Sequence, residues 1–496
     1  MKKFFSLFAT LTFVFVLVGC GGGGKPSTNP IEDFGDDYKN IITADITFWH
    51  AMGQKNQAVI DEIITEFNKE YPNIHVEHAN QGGYTDLRDK ILTTLASGNS
   101  PTIAQTYPDH VAAYMQGRAV RELNSYVNHE RYGMTKEDLS DFIEAYYKEG
   151  TTYDTKGTLY SLPFNKSTEV VFYNKTWFMK EKIEGESLYE KYNLGTIEMV
   201  DGKPVGTDLL SARLTWEDIV EISEYYINSE EYSKIDVAKR GEYAGFAADS
   251  EANLFITLTQ QFGGVYTSLK APHYVFDNPE SKAAIGWFAE KVERGIFGTA
   301  TKFGADYSSD AFTAQKVKVT LGSSAGANYN YPQDGSFEVG VIPYPQFKDA
   351  PAERQQVIQQ GTNVTLFKRT NSTEELAGWL FMRFLTGPKA AMIWATKTGY
   401  FPIRLSVRDS DEYNDFLTGR RVVLDGEGNL VELFEPTFIA QTMKVGWEQR
   451  NLFYTSPAFP GSSDARDEVE RLIQAVLYNN VSIEDAYANA LRELNK

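Results

Sequence analysis

Between residues 46 and 106 the chain alternates strand, helix, strand, helix, strand, and this limits its fold more than any other feature. Ile46-Thr47-Phe48-Trp49-His50 reads as a strand. From Asn56 to Tyr71, the residues Val59, Ile60, Ile63, Ile64 and Phe67 recur at the spacing of one helix face. Pro72 ends that helix, and Ile74 to Glu77 alternates as a second strand. Leu87 to Leu95 is helical again, Ser97-Gly98-Asn99-Ser100-Pro101 stops it, and Thr102 to Thr106 makes a third strand. Strands separated by helices pair in parallel and need helices on both faces of the sheet. A length of 496 residues exceeds one ordinary core and predicts two domains.

Further along, Tyr153 to Tyr160 reads as a hairpin with a Lys-Gly turn, and Val170 to Tyr173 as a short buried strand. Thr215-Trp216-Glu217-Asp218 has the form of a helix start, with the helix running to Ile227. Two hairpin inserts are expected, Glu198–Gly206 around Asp201-Gly202 and Arg421–Leu433 around Asp425-Gly426. The last third reads as helices over Glu374–Leu385, Pro388–Thr396, Asp464–Leu477 and Ile483–Leu494.

The N-terminus has export-signal proportions. Lys2 and Lys3 precede an apolar run from Phe4 to Val18, too short to span a bilayer comfortably. Leu17-Val18-Gly19-Cys20 closes it and resembles a bacterial lipobox, in which the cysteine is lipidated and becomes the new N-terminus. Residues 1–20 are therefore expected to be a lipoprotein signal peptide, and 21–43 a flexible tether. Cys20 is the single cysteine, so no internal disulfide is expected.

Catalytic readings fare poorly. Gly322-Ser323-Ser324-Ala325-Gly326 fits the nucleophile-elbow pattern, yet all six histidines precede Ser324, the reverse of the order that elbow requires. His75-Val76-Glu77-His78 offers metal-ligand types, but on a strand the two histidines point to opposite faces, and a solvated strand end is expected. No phosphate loop, zinc-protease motif or dinucleotide fingerprint is present. No enzyme activity, metal or cofactor is expected. A net charge of −19 repels phosphate backbones, so nucleic acid is not an expected partner.

Several strings together carry a family resemblance. They are Thr47-Phe48-Trp49-His50-Ala51-Met52-Gly53, Gly83-Tyr84, Ala96-Ser97-Gly98-Asn99-Ser100-Pro101, Leu162-Pro163-Phe164-Asn165-Lys166-Ser167-Thr168, Tyr173-Asn174-Lys175 and Lys397-Thr398-Gly399-Tyr400-Phe401-Pro402. With the leader, they resemble the family 1 extracellular solute-binding proteins of ABC importers, especially the branch with the glycerol-3-phosphate-binding protein. The resemblance implies an α/β fold of the periplasmic-binding-protein type II kind, with two doubly wound lobes joined by hinge strands and a ligand cleft between them. The first lobe is expected over 44–162 and 358–398, the second over 163–357 and 399–496. The implied role is a lipid-anchored monomer, extracellular or periplasmic, that closes on a small ligand and delivers it to transmembrane permease subunits.

Carried over position by position, the branch's pocket implies Tyr84, Ser167, Ser323, Ser324, Gly361, Thr362 and Tyr400 as ligand-binding residues. Asp109 stands beside the position of a family glutamate, and Trp49 is a further candidate ring surface. His50 is expected to be structural. Tryptophans of the branch are missing from Ala248–Asn253, and its phosphate-binding arginine aligns with Ala458-Phe459-Pro460-Gly461. Arg450 and Arg466 are the nearby substitutes. Without a placed cation a phosphate loses most of its binding energy, so a neutral carbohydrate is favoured over glycerol-3-phosphate or a glycerophosphodiester.

Overall fold

A computed structural model describes residues 31–95, 97–154, 156–209, 211–424 and 430–496. Cys20 and the first part of the expected tether lie outside the described residues. Residues 31–43, expected as its far end, instead pack down: the Phe34 N–H donates to Tyr132 Oη at 2.7 Å, and the Tyr38 and Tyr132 rings meet at 5.0 Å.

The first strand–helix run forms as the periodicity predicts. β1 (Ala44–His50), α1 (Gln54–Glu70), β2 (Ile74–Asn80), α2 (Tyr84–Leu95), β3 (Ile103–Thr106) and α3 (Pro108–Gln116) follow in order. β1 pairs in parallel with both β2 and β3. Short α4 (Glu144–Glu149) then leads to the 14-residue β4 (Ser161–Asn174), which is buried along its whole length. Two more parallel pairings follow among β5 (Phe246–Ala248), β6 (Phe297–Thr299) and β7 (Val319–Ser323). Between the first two lies α5 (Glu251–Gln261). β8 (Val339–Pro343), β9 (Val357–Leu366), the short β10 (Phe453–Tyr454) and the long α6 (Ser462–Tyr478) complete the elements that matter here.

The main sheet runs β6-β5-β7-β4-β9-β3-β1-β2, with β8 added on β4 and β10 on β9. β4 is the link. Its first half pairs antiparallel with β9, as in Ser161↔Thr365, and its second half pairs with β7, as in Val170↔Gly322. Two separate cores flank this crossing. One gathers Phe48, Ile60, Phe67, Leu162, Trp379 and Phe381; the other gathers Phe246, Leu254, Phe255, Val469, Leu472 and Tyr487.

Local geometry bears on three expectations. The insert Gly195–Val200 with Lys203–Asp208 is a hairpin whose Asp201 and Gly202 both take positive φ, the geometry of the favoured two-residue turn. Arg420–Leu424 pairs with Leu430–Phe434 as the second insert, with Asp425-Gly426 outside the described residues. Tyr153–Tyr160 is not a hairpin: Asp154 Oδ1 accepts from the N–H groups of Lys156 and Thr158 and makes a side-chain-held turn.

His50 is structural. It is fully buried, its Nδ1 accepts from the Met52 N–H at 3.1 Å, and its Nε2 lies 2.8 Å from His78 Nδ1. Burial, with help from His78, holds its pKa down to about 3. His75 faces solvent as expected, but His78 turns inward and its Nε2 meets Asp61 at 2.9 Å. Among the described residues no group of three or more His, Cys, Asp or Glu side chains is arranged to hold a metal ion.

Candidate functional site

The cavity lined by Asp109 and Gly361 lies where β9 crosses between the two cores. Its volume is about 90 Å³, room for several waters and so for a compact polar ligand. Tyr107, Pro108 and Asp109 form one wall at the start of α3; Gln359, Gln360 and Gly361 of β9 form the floor; Asn253 of α5 with Ser462 and Arg466 of α6 form the opposite wall. One residue along α6 from Arg466, Asp467 Oδ2 accepts from Arg88 Nη2 of α2 at 2.9 Å and so joins α2 to α6.

Arg466 sets the electrostatics. It donates to Asn253 Oδ1 and has no carboxylate oxygen within 4.0 Å among the described residues. Its helix starts after Gly461, which takes φ +101° and offers no side-chain cap; Ser462 Oγ bonds back to the Phe459 carbonyl instead. A 17-residue helix with an uncapped N-terminus directs its positive dipole end toward the same wall. The N-terminus of α3 differs, because Asp109 in its first turn already accepts from the His110 N–H at 3.1 Å.

Phenols surround this charge. Tyr107 and Tyr266 line the cavity, and the Tyr266 hydroxyl is buried with no partner. Burial raises both phenols well above their ordinary range, so they stay protonated and able to donate. Tyr84 packs edge-on to Tyr107 at 4.9 Å, and the Tyr400 ring stacks on Trp394 at 5.8 Å.

The expected residues divide by position. Asp109 and Gly361 line the cavity. Ser167 sits just behind, its Oγ 3.3 Å from Ser323 Oγ and 3.4 Å from Oε1 of the floor residue Gln360. Tyr84 and Tyr400 form a second rank behind Tyr107. Ser324 and Thr362 are fully buried and occupied: Ser324 Oγ accepts from the Thr168 N–H at 3.3 Å, and Thr362 Oγ1 bonds Asn165 Oδ1. Trp49 does not line the cavity, and its ring lies under the Lys90 ammonium at 5.0 Å. Of the two candidate cations, Arg466 lines the cavity, whereas Arg450 sits on the Trp447 ring at 5.5 Å.

Gly361 has a second reason to be glycine. Its φ is +106°, and a Cβ there would collide with the Asn165 carbonyl oxygen on the facing strand. Gly361→Ala is expected to cost at least about 1–3 kcal/mol from backbone strain alone, read as a lowered denaturation midpoint.

Sequence reading missed Tyr107, Asn253, Tyr266 and Gln360. Tyr107 was within reach, two residues before Asp109 on the same helix start. Asn253 follows its Ser250 N-cap by three residues, so the helix start was readable but not the wall it faces.

The chain matches the bacterial extracellular solute-binding protein family over residues 62–416. It is 24% identical over 373 residues to the sn-glycerol-3-phosphate-binding periplasmic protein UgpB of Escherichia coli K12, covering 73% of this chain and 75% of that protein. UgpB of Shigella flexneri matches to the same extent. Among solved structures, UgpB from Mycobacterium tuberculosis in complex with glycerophosphocholine superposes with a TM-score of 0.67 at 16% identity, over 91% of this chain and 98% of that one. Maltose-bound MalE3 from T. maritima gives 0.65 at 18% identity, over 91% and 99%. The fold is thus that of the maltose-binding type of periplasmic binding protein, and the chain belongs to the bacterial extracellular solute-binding protein family.

Proposed function

We propose that this importer receptor captures a compact polyol bearing a phosphate mono- or diester, with the anionic group against Arg466 and the start of α6. The observation that carries this is an arginine on the cavity wall with no ionic partner of its own among the described residues. The expectation of a neutral ligand rested on a missing cation, and Arg466 fills that role from a position eight residues after Ala458. Asp109 and the phenols of Tyr107 and Tyr266 supply acceptors and donors for hydroxyl groups. Ser167, Ser323, Tyr84 and Tyr400 support these from behind. Related proteins named for glycerol-3-phosphate and glycerophosphocholine agree with the assignment.

The two cores act as lobes, about 44–162 with 358–398 and 163–357 with 399–496, that close about the crossing strands. Cys20 carries the lipid anchor, and the closed, loaded form is what the permease recognises. A neutral carbohydrate is the second reading, favoured by the tyrosine cluster and Asp109.

A thermal-shift panel tests the choice. A ligand at 100 times its Kd stabilises the native state by about 2.7 kcal/mol. sn-Glycerol-3-phosphate or a glycerophosphodiester is expected to raise Tm and to be recovered unchanged. Shifts from neutral sugars alone would remove the anionic reading.

A further inference from the structure

Directly behind the cavity lies a carboxyl group that ligand binding does not account for. Glu169 on β4 is 1% exposed and has no Lys, Arg or His nitrogen within 4.0 Å among the described residues. Its Oε1 accepts from Asn253 Nδ2 at 3.0 Å and Gln360 Nε2 at 3.4 Å. Its Oε2 is buried with no partner. Both donors line the cavity, and Asn253 also holds Arg466 through its amide oxygen. Glu169 therefore stands one side chain behind both the anion wall and the floor.

Every element packed around it bears on its charge. Asp249, at the end of β5, is hydrogen-bonded by the Ser308 N–H and hydroxyl and opposes ionisation of Glu169. Tyr344 after β8 is a buried phenol held protonated. Ser323 of β7 stands opposite in register, and the Gln449 amide is spent on the Glu169 main-chain oxygen at 2.6 Å. Arg466 of α6 is the cation that favours the ionised form. Burial outweighs the Asn253 hydrogen bond and Arg466, and the carboxyl is pushed up to about 7. An anion seated against Arg466 cancels that favourable charge and adds a like one.

We propose that Glu169 makes anion capture proton-linked: its carboxyl takes a proton from solvent as an anionic ligand seats against Arg466 and releases it when the cavity empties. Mildly acidic surroundings then favour loading and alkaline ones release. The proton link rests on the anionic-ligand reading of the same cavity.

Titration calorimetry with glycerophosphocholine tests it, since the charges of this phosphodiester are constant between pH 6 and 8. If a bound anion moves Glu169 by one pH unit, wild-type affinity falls about fivefold from pH 6 to pH 8, and roughly 0.4 proton is taken up per ligand at pH 7. The proton count comes from buffers of differing ionisation enthalpy and needs no variant. Glu169→Gln is expected to bind with no pH dependence over this range. A flat wild-type profile, or an equal slope in the variant, overturns the proposal while leaving the anionic ligand standing. The empty protein gives a separate check. A carboxyl raised in the folded state stabilises fully below pH 4.5, and this contribution is lost as pH rises through about 7. The Tm of Glu169→Gln should therefore rise relative to wild type between pH 5 and pH 8, and a constant gap overturns the proposal. A varying gap with no binding of glycerophosphocholine or sn-glycerol-3-phosphate rejects the ligand reading and the proton link together.

Discussion

Arg466→Gln is expected to weaken phosphodiester binding by roughly 30- to 1,000-fold, the equivalent of about 2–4 kcal/mol for removing a charge-assisted hydrogen bond inside a cavity. The same substitution should leave the empty protein nearly as stable as wild type. Arg466 has no carboxylate to strand among the described residues, and glutamine still donates toward Asn253 Oδ1. Calorimetric titration reads the first effect and urea denaturation the second. Neutral sugars should bind wild type and variant alike, because no part of them needs the guanidinium charge. Unchanged phosphodiester affinity in the variant would remove Arg466 as the anion's partner and return the choice to a neutral ligand. A substantial loss of stability would instead make Arg466 a packing residue.

The sequence carried the first half of the fold because its signal was periodic. Val59, Ile60, Ile63 and Phe67 are buried on α1, and Ile74 and Val76 on β2, as one-face patterning requires. β4 was legible only over Val170–Tyr173. Its earlier stretch, Asn165-Lys166-Ser167-Thr168, is polar yet fully or nearly fully buried, because a strand crossing between two cores satisfies those groups with partners far away in sequence. Lys166 meets Glu149, Thr168 Oγ1 donates to the Ile358 carbonyl, and Asn165 meets Thr362. Periodicity cannot report such partners. The site divides the same way. Asp109 sits at a helix start, where clefts form, and Gly361 in mid-β9, where the register against β4 shifts; both line the cavity. Ser323 and Ser324 followed the right strand, but Ser324 turned to the backbone of β4. Arg466 is an ordinary position on a helix in sequence terms; only the packing of α6 against α3 brings it to the cavity.

Lys166→Met is expected to bring the largest stability loss among these substitutions, about 3–5 kcal/mol, because it leaves a buried charge without its partner. Lys166 is completely buried in the crossing strand, and its Nζ pairs with Glu149 at the end of α4. Burial pulls the ammonium's pKa down, and the Glu149 carboxylate works against that. Glu149 also accepts from Gln359 and lines the cavity, while Lys166 Nζ lies 3.5 Å from the Gly361 carbonyl and 5.8 Å from the Tyr146 ring centroid. One ion pair thus ties α4, β4 and β9 where both cores and the cavity floor meet. Methionine keeps the side chain's bulk and removes only its charge, so the loss measured is mainly that of stranding Glu149. Glu149→Gln made alone strands Lys166 in turn. The double variant leaves neither charge of the pair, and buried pairs replaced whole by neutral groups are often tolerated, so it should recover more than half of the loss. Urea denaturation of the four proteins gives the coupling directly. A double variant whose loss equals the sum of the two single losses would mean that Lys166 and Glu149 are not energetically paired. The expected recovery would make the pair a clamp whose charges matter to each other more than to the fold, set in the strands that cross between the two cores.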